Sequence, residues 1–295
     1  MRLSSAVTAV LGLALVSAGC TVTVDSHSEI VRQEKRFAVD GRADVRISTF
    51  DGSIEIRSWD KADVVIEIEK RGPSKAAVEG LEVISTQKGN LIELEVKRPR
   101  SESFSGIGLH RTANARLIVS VPRETDIRAR SGDGSIRIDR VAGRIDLRTG
   151  DGSIRAADVS GDLTLDTGDG SITVDGAEGK LSVDTGDGSV SVSGNLGALK
   201  LHTGDGSVVY RAAPGSTMSE PWEIVTGDGT VSLYLPAQFG AELDAHTGDG
   251  TIRNDLNVED AGEERGRRTL RGRIGGGGKL LRVRTGDGSI HLKLN

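Results

Sequence analysis

Cysteine and aromatic residues are almost missing from this chain of 295 residues, since Cys20 is its one cysteine and rings make up 3%. A single cysteine excludes an intrachain disulfide, and so few rings exclude a core built mainly on packed aromatic side chains. Neither charge dominates, because 38 lysines and arginines stand against 43 aspartates and glutamates. This balance excludes the strong basic field of a general nucleic-acid-binding protein, so no nucleic-acid partner is expected. The chain also lacks nucleophile-elbow, zinc and phosphate-loop motifs, and no enzyme class is indicated.

The first 19 residues have the pattern of a secretory signal peptide. A basic start at Arg2 precedes an apolar run over 6–16, and small residues stand directly before Cys20. Small residues before a lone cysteine resemble a bacterial lipobox, although Ser17 occupies the place where lipoboxes usually have leucine. The resemblance implies that Cys20 is lipidated and anchored to a membrane by its acyl chains. Residues 20–34 are then expected to form the lipidated cysteine and a polar tether, on the outer membrane if the organism has two membranes.

Glycine is abundant, at 40 residues, and much of it lies in a repeated Gly-Asp-Gly motif. The first five copies are spaced 18 residues apart. A fixed period this short predicts a solenoid in which each repeat forms one coil stacked on the previous one. The eight central aspartates are Asp133, Asp151, Asp169, Asp187, Asp205, Asp228, Asp249 and Asp287.

Each motif joins two short segments in which apolar and polar residues alternate. In the coil over 161–178 the apolar positions are Leu163 and Leu165 before the turn and Ile172 and Val174 after it. Alternation with period two predicts strands that turn one face inward. Aligning the repeats puts these positions into four apolar columns, so we predict an all-β parallel β-helix over 126–295, with coils of about 18 residues.

Two regions depart from the period. Residues 35–125 alternate irregularly around one short helix predicted over 74–80, and we expect them to form an N-terminal β cap over the first open end of the solenoid. Residues 254–279 form a charged insertion before the last repeat, with a strand or hairpin predicted near 269–274. The coils themselves are expected to stack in sequence order.

Three sequence features together resemble the DUF4097 family of adhesin-like bacterial envelope proteins. They are the repeated Thr-Gly-Asp-Gly-Ser-Ile, the early Asp51-Gly-Ser-Ile54, and the run Ile274-Gly-Gly-Gly-Gly278 before the last repeat. The resemblance covers about residues 35–295. It implies a parallel β-helix at the cell surface or in the periplasm, and it provides no catalytic residue and no cofactor to carry over.

The aspartate of the motif has two interpretations. In the first, its carboxylate accepts a hydrogen bond from the backbone N–H two residues on, forming an Asx-turn, while the glycines supply positive φ. In the second, stacked carboxylates bind Ca²⁺, with Asp151, Asp169, Asp187 and Asp205 as the candidates. The known calcium-binding repeat has a further aspartate two residues after its last glycine, where this chain has isoleucine or valine. The turn is favoured, and no metal site is predicted.

Five arginines of the first two repeats fall on outward positions of the predicted strands: Arg128, Arg130, Arg137, Arg148 and Arg155. The middle coils carry threonine, serine or aspartate at the corresponding places. One interpretation is a solvated face paired with nearby aspartates. The other is a docking patch for an anionic partner, such as a phosphate-bearing lipid or a wall polymer.

These patterns predict a non-catalytic, adhesin-like binding or scaffold module that is displayed on the cell envelope as a lipoprotein. Its expected partners are the membrane, through the anchor, and an envelope polymer or another protein. Two alternatives stay open, a Ca²⁺-binding surface repeat protein and a β-helical enzyme acting on polysaccharides. The enzyme would need a unique, non-repeating set of acidic and basic residues, which the repeats do not offer.

Overall fold

The computed structural model describes residues 29–98, 113–259 and 267–295, so Cys20 and the segment 99–112 lie outside the described residues. Within them nearly all regular structure is β, which confirms the predicted all-β class. The one helix in these three ranges, α1 (Lys75–Glu79), follows the N-cap Ser74, whose side chain accepts a hydrogen bond from the Ala77 N–H. This confirms the helix predicted over 74–80. No helix in the described part of the chain is long and apolar enough to span a bilayer.

The strands of the described residues join into one continuous sheet of 23. Those of the N-terminal region are β1 (Glu29–Ala38), β2 (Ala43–Thr49), β3 (Ile54–Trp59), β4 (Asp63–Gly72), β5 (Glu82–Lys88), β6 (Leu91–Lys97) and β7 (Asn114–Pro122). The regular repeats form β8 (Thr125–Ser131), β9 (Ile136–Asp139), β10 (Ala142–Thr149), β11 (Ile154–Ala157), β12 (Ser160–Thr167), β13 (Ile172–Thr185), β14 (Val190–Thr203) and β15 (Val208–Ala212). The remainder are β16 (Trp222–Thr226), β17 (Val231–Leu235), β18 (Ala241–Thr247), β19 (Ile252–Asn254), β20 (Val258–Glu259), β21 (Thr269–Ile274), β22 (Leu280–Thr285) and β23 (Ile290–Leu294).

Each coil contributes one strand before its turn and one after it, and each set forms a stack of parallel strands. The first stack, before the turns, runs in the order β6, β2, β8, β10, β12, the second halves of β13 and β14, β16, β22 and β18. The second stack, after the turns, runs β7, β3, β9, β11, the first halves of β13 and β14, β15, β17, β23 and β19. Equivalent residues pair at each step, as Leu163 does with Leu181.

The inward side chains of both stacks fill one core. In the coil over 161–178, Leu163, Leu165, Ile172 and Val174 are each at most 2% exposed. Thr164 and Thr173, which alternate with them on the strands, are exposed and half-buried, so the predicted alternation and the apolar columns are confirmed. Because both stacks share this core, their outward side chains point away from it on two separate outer faces.

The last two coils stack in the reverse of the predicted order. β22 lies between β16 and β18, and β23 lies between β17 and β19, so the final coil of the chain comes before the coil over 241–254. The other edge of β18 is occupied by β21, which runs antiparallel to it. The insertion therefore supplies the strand predicted over 269–274, which is confirmed, and leads the chain back past β18 to form the final coil.

Asn254 belongs to the coil over 241–254, which lies at this end of the stacks. It is the one polar residue in the predicted apolar columns, and it lies half-buried on β19, the last strand of the second stack. Its side-chain amide donates to the Leu256 carbonyl at 2.9 Å and accepts from the Leu256 N–H at 3.1 Å. An amide is tolerated here because its own polar atoms are hydrogen-bonded at the end of the column.

The N-terminal region adds two coils of the same register to the stacks. β2 and β3 pair in parallel with β8 and β9, so that Val45 faces Ile127 and Ile54 faces Ile136. β6 and β7 lie outside them, and the antiparallel strands β5, β4 and β1 close this end. Since β1 begins at Glu29, part of the segment predicted as a tether belongs to the sheet.

Candidate functional site

A buried threonine stands directly before each Gly-Asp-Gly turn from the second copy onward. The Thr167 hydroxyl, 3% exposed, shares its hydrogen between the carbonyl oxygens of Gly150 (3.0 Å) and Gly152 (2.9 Å) in the neighbouring coil. The same pair of contacts recurs at Thr149, Thr185, Thr203, Thr226, Thr247 and Thr285. This threonine ladder ties the turns of successive coils to one another.

Close approach, and not positive φ, is the reason for the glycines of the motif. None of the glycines that flank the eight aspartates has a positive φ, so that part of the turn prediction is wrong. The Gly168 N–H donates to the Gly150 carbonyl oxygen at 2.5 Å. A Cβ on Gly170 would come within 3.0 Å of the Gly152 carbonyl, a distance that real side chains do not adopt. Stacked turns therefore touch through backbone atoms and leave no room for side chains.

The aspartates of the motif point into solvent. Asp169 is exposed, and its carboxylate makes no hydrogen bond or ion pair with the residues that the structure describes. The same holds for the other calcium candidates, Asp151, Asp187 and Asp205. The predicted Asx-turn is wrong, because these carboxylates accept no backbone N–H from the described residues. The side-chain acceptors that the turn N–H groups do have are hydroxyls, such as Thr247 for Gly250 (2.9 Å) and Ser207 for Thr230 (3.4 Å). Among the described residues, no three histidine, cysteine, aspartate or glutamate side chains are grouped so that they could hold a metal ion.

The five predicted arginines are divided between the two outer faces. Arg128, Arg130 and Arg148 lie on the first stack, where Asp146 pairs with both Arg128 (3.4 Å) and Arg148 (2.9 Å). The hydrogen bond with Asp146 raises the pKa of Arg148. Arg130 lines a groove with Glu95, whose carboxylate pairs with Lys97 at 3.1 Å, and makes no ion pair itself among the described residues. Two of the three arginines of this face are thus paired with Asp146, as expected of a solvated face.

Arg137 and Arg155 lie side by side on the outer face of the second stack. They are direct neighbours on the parallel strands β9 and β11, with backbones about 4.8 Å apart. Neither side chain makes a hydrogen bond or ion pair in the described part of the chain. Like charges in direct register repel each other. Glu55 is the other direct neighbour of Arg137, but its carboxylate binds Arg116 at 2.8 Å. The two guanidinium groups therefore form a positive site without an ion pair among the described residues.

A groove beside this pair extends the site to Arg57, and we call Arg57, Arg137 and Arg155 the arginine groove. Two of the three carboxylates that line it are paired with other arginines, Glu55 with Arg116 (2.8 Å) and Asp139 with Arg140 (3.0 Å). The third, Asp175, accepts a hydrogen bond from the neutral Ser193 hydroxyl at 3.3 Å. Sequence reasoning missed Arg57 because its region was assigned to an irregular cap, although Asp51-Gly-Ser-Ile54 before it already matched the repeat.

The two ends of the stacks are held by carboxylates that two arginines share. Asp244 of β18 accepts a hydrogen bond from Arg271 of β21 at 3.0 Å and also binds Arg284 of β22. Burial by itself would raise the pKa of Asp244, but hydrogen bonds from Arg284 and Arg271 outweigh burial and lower it. At the opposite end, Glu69 of β4 is held by one arginine of β1 and one of β4, and its pKa is lowered by these hydrogen bonds.

The Asp244→Asn variant is expected to lower the free energy of unfolding by about 2 kcal/mol at pH 7, because an amide cannot replace charged hydrogen bonds to two arginines. The folded pKa lies below the unfolded value of 3.8. The carboxylate therefore stabilises the fold fully above the unfolded value, and this stabilisation is lost as the pH falls through the folded value. The free energy of unfolding in urea should differ between the unmodified protein and Asp244→Asn at pH 7, and the two values should converge near pH 2. A difference that persists at pH 2 would contradict this role of the Asp244 carboxylate. The control is Asp187→Asn, which loses no partner among the described residues.

The chain matches a family model described as Toastrack DUF4097 over residues 42–293. No curated protein matches it. Solved structures of low identity that match include a candidate cell adhesion protein from Clostridium sporogenes, at 16% identity over 90% of this chain and 100% of that chain, with a TM-score of 0.31. A candidate adhesin from Bacteroides fragilis shares 11% identity over 89% and 96% of the two chains, with a TM-score of 0.40. A candidate lipid-binding protein from Parabacteroides distasonis shares 13% identity over 88% and 96%, with a TM-score of 0.47.

Proposed function

This chain belongs to the Toastrack DUF4097 family, and we propose that it is a non-catalytic binding module that holds an acidic polymer of the cell envelope in its arginine groove. The observation that carries the proposal is that Arg137 lies beside Arg155 and that neither forms an ion pair with a carboxylate of the described residues. Guanidinium groups bind carboxylates and phosphates through paired hydrogen bonds. Two of them in register suit a ligand with successive negative groups, which a polymer provides.

The scaffold of this site is, in the same proposal, a rigid parallel β-helix. Its support is the ten parallel strands of each stack, which pair residue for residue from β6 to β18 and from β7 to β19. At about 4.8 Å per strand, such a rod is roughly 45 Å long. Charges fixed on a rigid rod are preorganised, so little conformational entropy is lost when a polymer binds.

The binding test uses a soluble protein of residues 21–295 and its co-sedimentation with purified cell-wall and outer-envelope polymers. We expect salt-sensitive pelleting with at least one acidic polymer, because surface ion pairs weaken as salt screens them. The double variant R137Q/R155Q should pellet about tenfold less, through the loss of two charge-assisted contacts. Arg130 of β8 and Lys200 of β14 lie on the outer face of the first stack. The variant R130Q/K200Q removes these two cations and should pellet like the unmodified protein. Equal losses in both variants, or no pelleting with any polymer, would contradict the proposal.

The envelope location is a separate part of the proposal and depends on Cys20, which lies outside the described residues. Lipidation there would hold the rod at the membrane surface, because acyl chains contribute about 0.8 kcal/mol for each buried CH₂ group. Cells given a labelled lipid precursor should label the full-length chain, and the Cys20→Ala variant should lose both the label and its membrane fraction. Labelling that persists in the variant would overturn the anchor and leave the polymer site untouched.

A further inference from the structure

The outer face of the second stack carries another group of cations towards its opposite end. Arg211 of β15, Tyr234 of β17 and Lys293 of β23 are successive neighbours in register. The Arg211 guanidinium lies 4.6 Å from the centroid of the Tyr234 ring, and the Lys293 ammonium lies 5.4 Å from it. The ring thus positions two cations whose backbones are about 10 Å apart, across two strand spacings.

These cations keep their charge. Arg211, Lys293 and the nearby Arg253 of β19 form no ion pair with any residue that the structure describes. An aromatic ring orients a cation without cancelling its charge, unlike a carboxylate. The excess positive potential reaches His291, which is the direct neighbour of Arg253. Burial lowers the pKa of His291, and Arg253 and Lys293 lower it further, against the opposing effect of Asp255.

We propose that Arg211, Lys293 and Arg253 form a second anion-binding subsite, the C-terminal subsite, and that one linear acidic polysaccharide lies along this face and contacts both it and the arginine groove. The ligand class rests on the proposed function. The new elements are the second subsite, the path of the polymer along the rod, and the polysaccharide character of the ligand.

The shape of the basic surface favours a linear ligand over a membrane. The strands of the second stack are short, and each presents two outward positions, such as Ile172-Thr-Val-Asp175 with Thr173 and Asp175 outward. Two outward positions make a strip only about 7 Å wide. Along the strip, Arg155 and Arg211 are three strand steps apart, or about 14 Å. A membrane would meet a broad surface, whereas a single polymer chain fits a narrow strip with charges at both ends.

The middle of the strip favours a polysaccharide. Between the two basic groups the outward residues are mainly hydroxyl-bearing: Thr173, Ser191 and Ser193, with one carboxylate, Asp175. Hydroxyl groups can both donate and accept hydrogen bonds, which matches the hydroxyl groups of sugar units between charged ones. A uniformly charged chain would instead be repelled by Asp175 at this point.

Polygalacturonate, a linear carboxylated polysaccharide, is the probe, used in long and in short fragments with the soluble protein of residues 21–295. Long fragments can bridge both subsites and should bind more tightly than short ones, because the second contact is then intramolecular. The double variant R211Q/K293Q should bind long fragments about tenfold more weakly and lose the advantage of long over short. The variant R130Q/K200Q, with two cations removed from the other face, should keep the affinity for long fragments and their advantage over short ones.

The pKa of His291, measured by NMR, is a readout that a purely structural role of Arg211 and Lys293 would not move. Bound carboxylates near Lys293 and Arg253 should offset their positive potential and raise this pKa. Without ligand, the single variant Lys293→Gln should also raise it, since one of the lowering charges is removed. A pKa of His291 that does not respond to polygalacturonate would overturn the C-terminal subsite.

The outcomes separate this inference from the proposed function. If R211Q/K293Q binds long fragments like the unmodified protein while R137Q/R155Q does not, the C-terminal subsite is wrong and the arginine groove stands. If the unmodified protein binds neither polygalacturonate nor any envelope polymer, the proposed function is wrong as well. If vesicles containing anionic phospholipid bind while polysaccharide does not, the face docks on a membrane and the linear polymer is excluded.

Discussion

An alanine at position 188 is expected to lower the free energy of unfolding by about 3–5 kcal/mol. Gly188 is buried in a turn of the stack, and a Cβ there would come within 3.0 Å of the Gly170 carbonyl and of the Thr185 hydroxyl. The Gly170 atoms are backbone of the neighbouring coil, so no side-chain rotation can relieve the overlap. The two coils would have to separate locally, which also breaks the contact of Thr185 with the Gly170 carbonyl at 3.1 Å.

Urea unfolding of Gly188→Ala and Gly276→Ala provides the measurement and its matched control. A Cβ on Gly276 meets no atom within 4 Å, and its φ lies outside the region that side chains avoid. The control should therefore stay within about 0.5 kcal/mol of the unmodified protein. Similar unfolding midpoints for the two variants would show that stacked turns do not touch through backbone and that the glycines serve another purpose.

Much of the architecture could be predicted from the repeat alone. Alternation around each turn placed Leu163, Leu165, Ile172 and Val174 in the core, because a strand that buries one face must alternate with period two. The helix at Ser74 was visible from its cap, and the strand at 269–274 from its local pattern. The period did not define the role of the turn residues. Which atom caps the turn depends on how closely neighbouring coils approach, and this distance is set by the packed core.

The sequence pattern could not predict how the five arginines are divided between the two outer faces. Arg128 and Arg137 both stand at outward positions of one repeat, yet the turn between them sends their side chains to different faces. Whether each has an acidic partner depends on the coil beside it. Both have an arginine on one side and a carboxylate on the other, which is Asp146 for Arg128 and Glu55 for Arg137. Asp146 pairs with Arg128, whereas Glu55 pairs with Arg116 instead. The candidate site therefore follows from stacking register and not from composition.

The order of the final coils is testable with engineered disulfides, and we expect one double cysteine variant to form a disulfide and the other to form none. Ser232, His291 and Arg253 occupy equivalent outward positions on β17, β23 and β19. In the observed order Ser232 is the direct neighbour of His291, about 4.8 Å away, within the Cα separation of about 4.4–6.8 Å that a disulfide allows. Arg253 is two strands from Ser232, or about 10 Å, and beyond that reach. The double variant S232C/H291C should therefore form a disulfide on oxidation, and S232C/R253C should not.

The soluble protein of residues 21–295 suits this test because it contains no other cysteine. Peptide mapping by mass spectrometry before and after reduction detects the bridge. Stacking in sequence order would give the opposite pattern, with S232C/R253C bridged and S232C/H291C open, so each variant serves as the control for the other. The observed order also places Lys293 beside Tyr234, so a bridge in S232C/H291C would support the neighbour relation on which the C-terminal subsite depends.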